Sequence, residues 1–222
     1  MNGHQIGLAF EGIPLLLSIS LAPTLMAVPA SRGASSQINI RVVDFAHVPE
    51  AIFSHAEIDA ARILTKAGVD VRWLDCRVAD FRPDNVCNQD LGPLDFWIRI
   101  VPAIPRGMKR DTFGYVTFDP LQRTGKYANV LYERGKDVAE TSRADVFTSI
   151  GAAMAHEIGH LLLGPSHTSK SIMSARWRHE ELQQLGQGSL LFTREQALAL
   201  RVEIARLVLA TEKVRDTQRT AE

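Results

Sequence analysis

Ala155-His156-Glu157-Ile158-Gly159-His160-Leu161-Leu162-Leu163-Gly164-Pro165-Ser166-His167 is the stretch on which the reading of this chain turns. It contains His-Glu-x-x-His. On an α-helix, positions i and i+4 lie one turn apart on the same face. His156 and His160 can therefore aim both imidazoles at one metal ion. Glu157, beside the first His, can reach a metal-held water without being a ligand. Two imidazoles and a carboxylate so placed are what zinc-assisted hydrolysis requires.

The bare pattern arises by chance too often to decide anything alone, so its context carries the weight. The motif lies near the end of a well-marked helix. Gly164 and a third histidine, His167, follow at once, and Ser171-Ile172-Met173-Ser174 comes shortly after. The bland alternative is a buried helix whose two histidines are merely hydrogen-bonded.

With these residues the stretch resembles the metzincin clan of zinc metallopeptidases. That clan carries His-Glu-x-x-His-x-x-Gly-x-x-His followed by a Met-containing turn. The resemblance implies Zn2+ held by His156, His160 and His167, with Glu157 as the general base. Gly164 would be the turn glycine, and Met173 the apolar floor under the metal. It departs from the clan pattern at one point. Three residues, Leu161 to Leu163, separate His160 from the Gly, where the clan has two. One extra helical residue rotates the exit by about 100° and advances it by about 1.5 Å. The turn must absorb that change for His167 to reach the metal. In the related gluzincin group the third ligand is a Glu on a later helix, so Glu180 and Glu181 compete for that place, with His179 outside them. Their bland reading is a solvated helix start.

The 222 residues are 45% hydrophobic and 23% charged, an ordinary globular composition, and the length suggests one domain, two at most. Lys plus Arg (25) equals Asp plus Glu (25), which favours neither a nucleic-acid partner nor an anionic membrane. Ile13 to Ala30 is apolar with small residues, and Val28-Pro29-Ala30 precedes Ser31. This reads as a signal peptide over residues 1–30, with an uncleaved N-terminal anchor as the alternative. The domain is then residues 31–222, secreted or periplasmic, and membrane-attached only if the leader stays. A strand begins soon after the cleavage site, leaving no room for a sizeable inhibitory propeptide. The two cysteines, Cys76 and Cys87, flank a polar segment and can close one loop in an oxidising compartment. Free thiols are the other reading, and no Cys-x-x-Cys pair supports a zinc finger.

Along the chain, Ile38–Phe45 is β-branched and reads as a strand. Pro49–Lys66 repeats apolar residues at helical spacing, and Gly68 stops it. Val69–Leu74 and Leu94–Val101 are further strands, the latter with Phe96, Ile98 and Ile100 on one face. Phe113–Phe118 and Ala128–Tyr132 follow, separated by a turn around Gly125. Ser142 is taken as the N-cap of the motif helix, with Asp145 completing a capping box. Thr193, boxed by Gln196, caps a final helix from about Arg194 to Lys213, and the last residues fray.

The expected fold is α+β: a metzincin-like catalytic domain with a mixed twisted sheet, two long helices and a small C-terminal helical part. The resemblance implies a peptide or protein substrate, laid along the edge strand Phe113–Thr117 as an added antiparallel strand. It implies endopeptidase activity through a metal-activated water, with Glu157 as base and then acid. Some metzincins add a Tyr two residues after the Met. Here that position is Ala175, and Arg176 is the only neighbouring candidate for a helper. The alternative function is a non-catalytic, zinc-stabilised peptide-binding module on the same fold. Glu157 argues against it, because a structural site has no use for a carboxylate there.

Overall fold

In the computed structural model the described residues are 37–77, 82, 84–105, 107, 112–119 and 125–219. The expected leader lies outside them. Residues 33–222 cluster as one compact unit.

Five strands make one sheet: β1 (Gln37–Asp44), β2 (Asp70–Asp75), β3 (Asp95–Val101), β4 (Gly114–Phe118) and β5 (Gly125–Leu131), in the order β2-β1-β3-β5-β4. The first four in that order run parallel. β4 is antiparallel to β5 and forms one edge, with Tyr115 opposite Asn129 and Val116 opposite Ala128. Alternation puts Ile38, Ile40 and Val42 of β1 into the core with Phe96, Ile98 and Ile100 of β3. Each such side chain contributes about 1.5–3 kcal/mol by leaving water.

Helix α1 (Glu50–Lys66) connects β1 to β2. Asp44 starts the connection, its carboxylate accepting from the N–H groups of Ala46 (2.8 Å) and Val48 (2.6 Å). Phe53, Ala56, Ala60, Ile63 and Leu64 are the buried stripe of the helix. Gly68, at φ +82°, follows its end, as its place in the sequence suggests.

The cysteine loop follows β2, and Cys76 is bonded to Cys87, as the sequence allows. The buried Arg41 of β1 anchors this loop. Its guanidinium donates to the carbonyls of Gln89 (2.5 Å) and Asp90 (3.2 Å) and lies 3.7 Å from Asp95. These contacts hold the loop against the sheet.

One helix was not expected. Tyr132, taken for the end of a strand, opens α2 (Tyr132–Ser142). Ser142 closes α2 instead of capping the next helix. Its hydroxyl bonds the carbonyl of Val138 (2.7 Å), and Arg143 turns the chain at φ +58°. The motif helix α3 (Val146–Leu163) therefore starts later. Asp145 is its N-cap residue, and its side chain makes no capping hydrogen bond. The expected capping box does not form, because the hydroxyl meant for it already serves the preceding helix. Gly125 opens β5, so that strand begins earlier than the sequence suggests.

α3 is buried along most of its length, between the sheet, α1 and the C-terminal part. Among the described residues it alone is long and apolar enough to cross a membrane, and its burial marks it as a core helix. Two helices complete the chain, α4 (His179–Gly186) and α5 (Arg194–Arg219). The Thr193–Gln196 box forms as expected: Thr193 N–H donates to Gln196 Oε1 (2.8 Å), and Gln196 N–H donates to Thr193 Oγ1 (3.2 Å). α5 runs six residues past Lys213, where fraying was expected.

Candidate metal centre

α3 brings His156 and His160 onto one face, and each ring is fixed from behind. His156 Nδ1 lies 2.6 Å from the carbonyl of Ile172, and His160 Nδ1 lies 2.9 Å from that of Gly164. A carbonyl only accepts, so each Nδ1 carries the proton and each Nε2 presents a lone pair. The Nε2 atoms of His156 and His160 are 3.0 Å apart.

The extra residue before Gly164 is absorbed where the helix ends. α3 continues through Leu163, and Gly164 N–H closes the last turn on the carbonyl of His160 at 2.9 Å. Gly164 then adopts φ +81°, ψ −168°, a conformation open essentially to Gly alone. The reversal carries His167 back over the helix, with its Nε2 3.1 Å from that of His160. All three histidines present ligand atoms within 4.8 Å of one another. Among the described residues no carboxylate or fourth histidine joins this group. Glu180 is exposed, and Glu181 is turned away to other partners, accepting from Arg178 N–H at 2.9 Å.

The set suits a cation. Burial pushes His156 down to about 3, helped by the neighbouring His160. Burial lowers His160 and His167 as well. Three imidazoles held neutral with converging lone pairs form a donor set for a borderline metal such as zinc. Glu157 lies beside them, 2% exposed, and its Oε2 has no hydrogen-bond partner. Burial alone raises its carboxyl well above the usual range. A buried carboxyl oxygen without a partner is uncommon in a folded protein.

Met173, expected as a floor under the metal, packs on the motif helix. It is buried in the turn after His167, against the α3 backbone at Gly159, where any β-carbon would meet its sulfur at 2.5 Å.

Four contributors escaped the sequence reading. The Ile172 carbonyl accepts from His156 and also from Trp177 Nε1 at 3.0 Å. Trp177 stacks on Phe113, ring centroids 4.1 Å apart, and both rings stand edgewise to His156 at 6.1 Å. This pair ties the entry to β4 to the Met loop and walls His156 from solvent. Gly114, first residue of β4, lets the strand pass the Glu157 carboxyl. A β-carbon there would meet Glu157 Cδ at 2.7 Å and the Asn129 carbonyl oxygen at 2.2 Å. The sequence signal for Gly114 was present, since a glycine inside a strand pattern marks a bulge or a close approach. For the aromatic pair no such signal exists.

A cleft of about 400 Å3 runs over the site between β4 and the loop after α3. Phe113 to Val116 form one wall, and Pro165, Ala175 and Arg176 form the other, with the three histidines and Glu157 on the floor.

Fold and site together define an α+β domain whose cleft holds a three-histidine cluster able to take a metal ion. No family model and no curated protein sequence matches the chain. Among solved structures it is similar to archaemetzincin from Methanopyrus kandleri, with 16% identity over 78% of this chain and 99% of that one, at a TM-score of 0.49. A likeness at that level assigns no role to any residue, and the roles below rest on the site.

Proposed function

We propose that this chain is a zinc-dependent endopeptidase. The observation that carries the proposal is the convergence of three neutral imidazoles beside a buried carboxyl whose Oε2 has no hydrogen-bond partner, in a cleft bordered by an edge strand. His156, His160 and His167 would hold Zn2+. Bound zinc supplies Lewis acidity, which acidifies water toward neutrality and steadies negative charge developing on a scissile carbonyl.

The remaining work falls to the chain. The carbonyls of Ile172 and Gly164 hold the first two rings in the Nδ1–H tautomer. The edge of β4, outermost among the described strands, offers backbone N–H and C=O groups to an extended peptide, which would pair as a sixth strand. Glu157 accepts the proton of the attacking water and returns it to the leaving amine, one carboxylate serving as base and then acid. Phe113 and Trp177 exclude water behind His156 and so strengthen the electrostatics of the site. The disulfide supports export to an oxidising compartment, secreted or periplasmic.

Glu157→Gln tests the reading. The variant is expected to keep one zinc per chain and to lose peptide cleavage by at least about a hundredfold. Full activity in that variant would sink the assignment of the base. A zinc-loaded wild type that binds peptides and cleaves none would favour the non-catalytic module.

A further inference from the structure

His167 is held differently from the other two histidines. The rings of His156 and His160 are backed by the carbonyls of Ile172 and Gly164. Among the described residues no carbonyl backs the ring of His167, whose Nε2 lies 3.1 Å from that of His160. It is exposed, where the other two are buried. The place of this imidazole therefore depends on the backbone that carries it. Gly164 sets that backbone on the helix side. On the other side stands Thr168, the next residue, and Thr168 is tied at two points.

Thr168 N–H donates to the Met173 carbonyl at 3.1 Å. Its hydroxyl oxygen accepts from Nε2 of Gln196, a buried residue of α5, at 2.6 Å. The Gln196 amide has one orientation. Its Oε1 accepts from Thr193 N–H, so Nε2 must face Thr168 and Ser171. Ser171 Oγ accepts from Gln196 Nε2 at 3.2 Å and from Met173 N–H at 3.1 Å. Both its lone pairs are then used, and its own proton goes to Thr168 Oγ1, 3.1 Å away. One amide thus gathers Thr168, Ser171 and Met173 into a single network. The anchor behind it is firm, because Leu200 and Ile204 seat α5 in the core. From α4, Glu181 braces the far side of the same loop, accepting from Lys170 N–H and Ser174 Oγ, each at 3.2 Å. A capping box needs only a side-chain acceptor at the position of Gln196, which Glu supplies as well as Gln. The Nε2 half of the amide is surplus to the cap, and it is directed wholly at the loop that carries His167.

We propose that Gln196 is a positioning residue for the third metal ligand, holding His167 against the other two imidazoles through Thr168. The proposal rests on the three-histidine zinc site of the peptidase reading and adds to it a residue of the C-terminal helix. It makes the affinity for zinc depend on one hydrogen bond between α5 and the loop after α3.

The test reads zinc affinity by chelator competition and the stability of the metal-free protein in urea, with His167→Ala as the reference for a lost ligand. Gln196→Ala is expected to weaken zinc binding about tenfold or more. Thr193→Ala removes the cap of the same helix and leaves the backbone N–H that orients the Gln196 amide. It is expected to unfold at lower urea and to bind zinc as the wild type does. A merely structural role for Gln196 predicts instead that both variants lose zinc in proportion to their loss of stability. Thr168→Val removes the acceptor and is expected to match Gln196→Ala, whereas Thr168→Ser keeps the hydroxyl and restores wild-type affinity. If Gln196→Ala fails to fold, the two Thr168 variants decide. Wild-type zinc affinity in Gln196→Ala or in Thr168→Val overturns the assignment, and so does equal weakening in Thr193→Ala. The two readings fail separately. No zinc in the wild type, or undiminished affinity in His167→Ala, removes the three-histidine site and the role of Gln196 with it. Zinc weakened by His167→Ala and untouched by Gln196→Ala removes the role of Gln196 alone. A protein that holds zinc as predicted and cleaves no peptide loses the peptidase reading and keeps this one.

Discussion

Gly114→Ala separates holding the metal from using it. A β-carbon at this position would lie 2.2 Å from the Asn129 carbonyl oxygen and 2.7 Å from the Glu157 carboxyl. Such contacts are essentially never closer than 3.0 Å, so the strand must retreat from Asn129 by roughly 0.8 Å and the Glu157 side chain must also give way. Neither movement is free. β4 pairs with β5 through Gly114 opposite Val130, and Glu157 is almost wholly buried. Overpacking of this kind costs about 1–3 kcal/mol of stability. A displacement near 1 Å at a reacting group costs about a hundredfold in rate. The three histidines take no part in the clash. Gly114→Ala is therefore expected to bind one zinc with near-normal affinity, to unfold at lower urea, and to lose about a hundredfold in kcat. Urea denaturation, chelator competition and steady-state peptide cleavage read the three quantities. Undiminished kcat, or loss of zinc along with activity, would refute the argument that this glycine exists to seat the carboxylate.

Trp177→Phe keeps a ring to stack on Phe113 and removes the indole N–H that shares the Ile172 carbonyl with His156. It is expected to destabilise the metal-free protein by about 1 kcal/mol and to weaken zinc binding by about tenfold. Unchanged affinity in chelator competition would restrict Trp177 to packing. Glu57 on α1 gives a pH prediction. Burial raises its carboxyl from 4.5 to about 7, so between these values the folded state holds a proton that the unfolded state releases. Stability from this group is therefore lost as pH rises from about 4.5 to about 7. Glu57→Gln is expected to flatten that part of the melting-temperature profile and to match wild type below it. A parallel profile for the two proteins would remove Glu57 from the account.

The sheet and α1 were legible because each had a strong periodic pattern. Phe96, Ile98 and Ile100 alternate, and the apolar residues of α1 recur at helical spacing, so local sequence and tertiary burial agree. α2 was not legible. Tyr132-Glu133-Arg134-Gly135-Lys136 is charged and contains a glycine, and only Gly135, Val138 and Ala139 of that helix are buried. Its stability comes from docking, which composition does not announce. Ser142 misled for a related reason: a hydroxyl three residues before an acid suggests a helix start, but Asp is shorter than the Glu or Gln a capping box uses. At the site, the i, i+4 spacing of His156 and His160 announced that the two rings share one helix face, and their Nε2 atoms do converge. Bringing His167 to the other two needed the Gly164 conformation, which a glycine permits and no spacing rule specifies. The Phe113–Trp177 stack joins positions far apart in the chain, and only the folded arrangement reveals it.

Zinc stoichiometry of the purified domain, for wild type and His167→Ala side by side, tests the three-histidine centre most directly. The account predicts one zinc per chain in the wild type and sharply weakened binding in the variant. One zinc held equally well by both would move the third ligand away from His167 and contradict the site as described here.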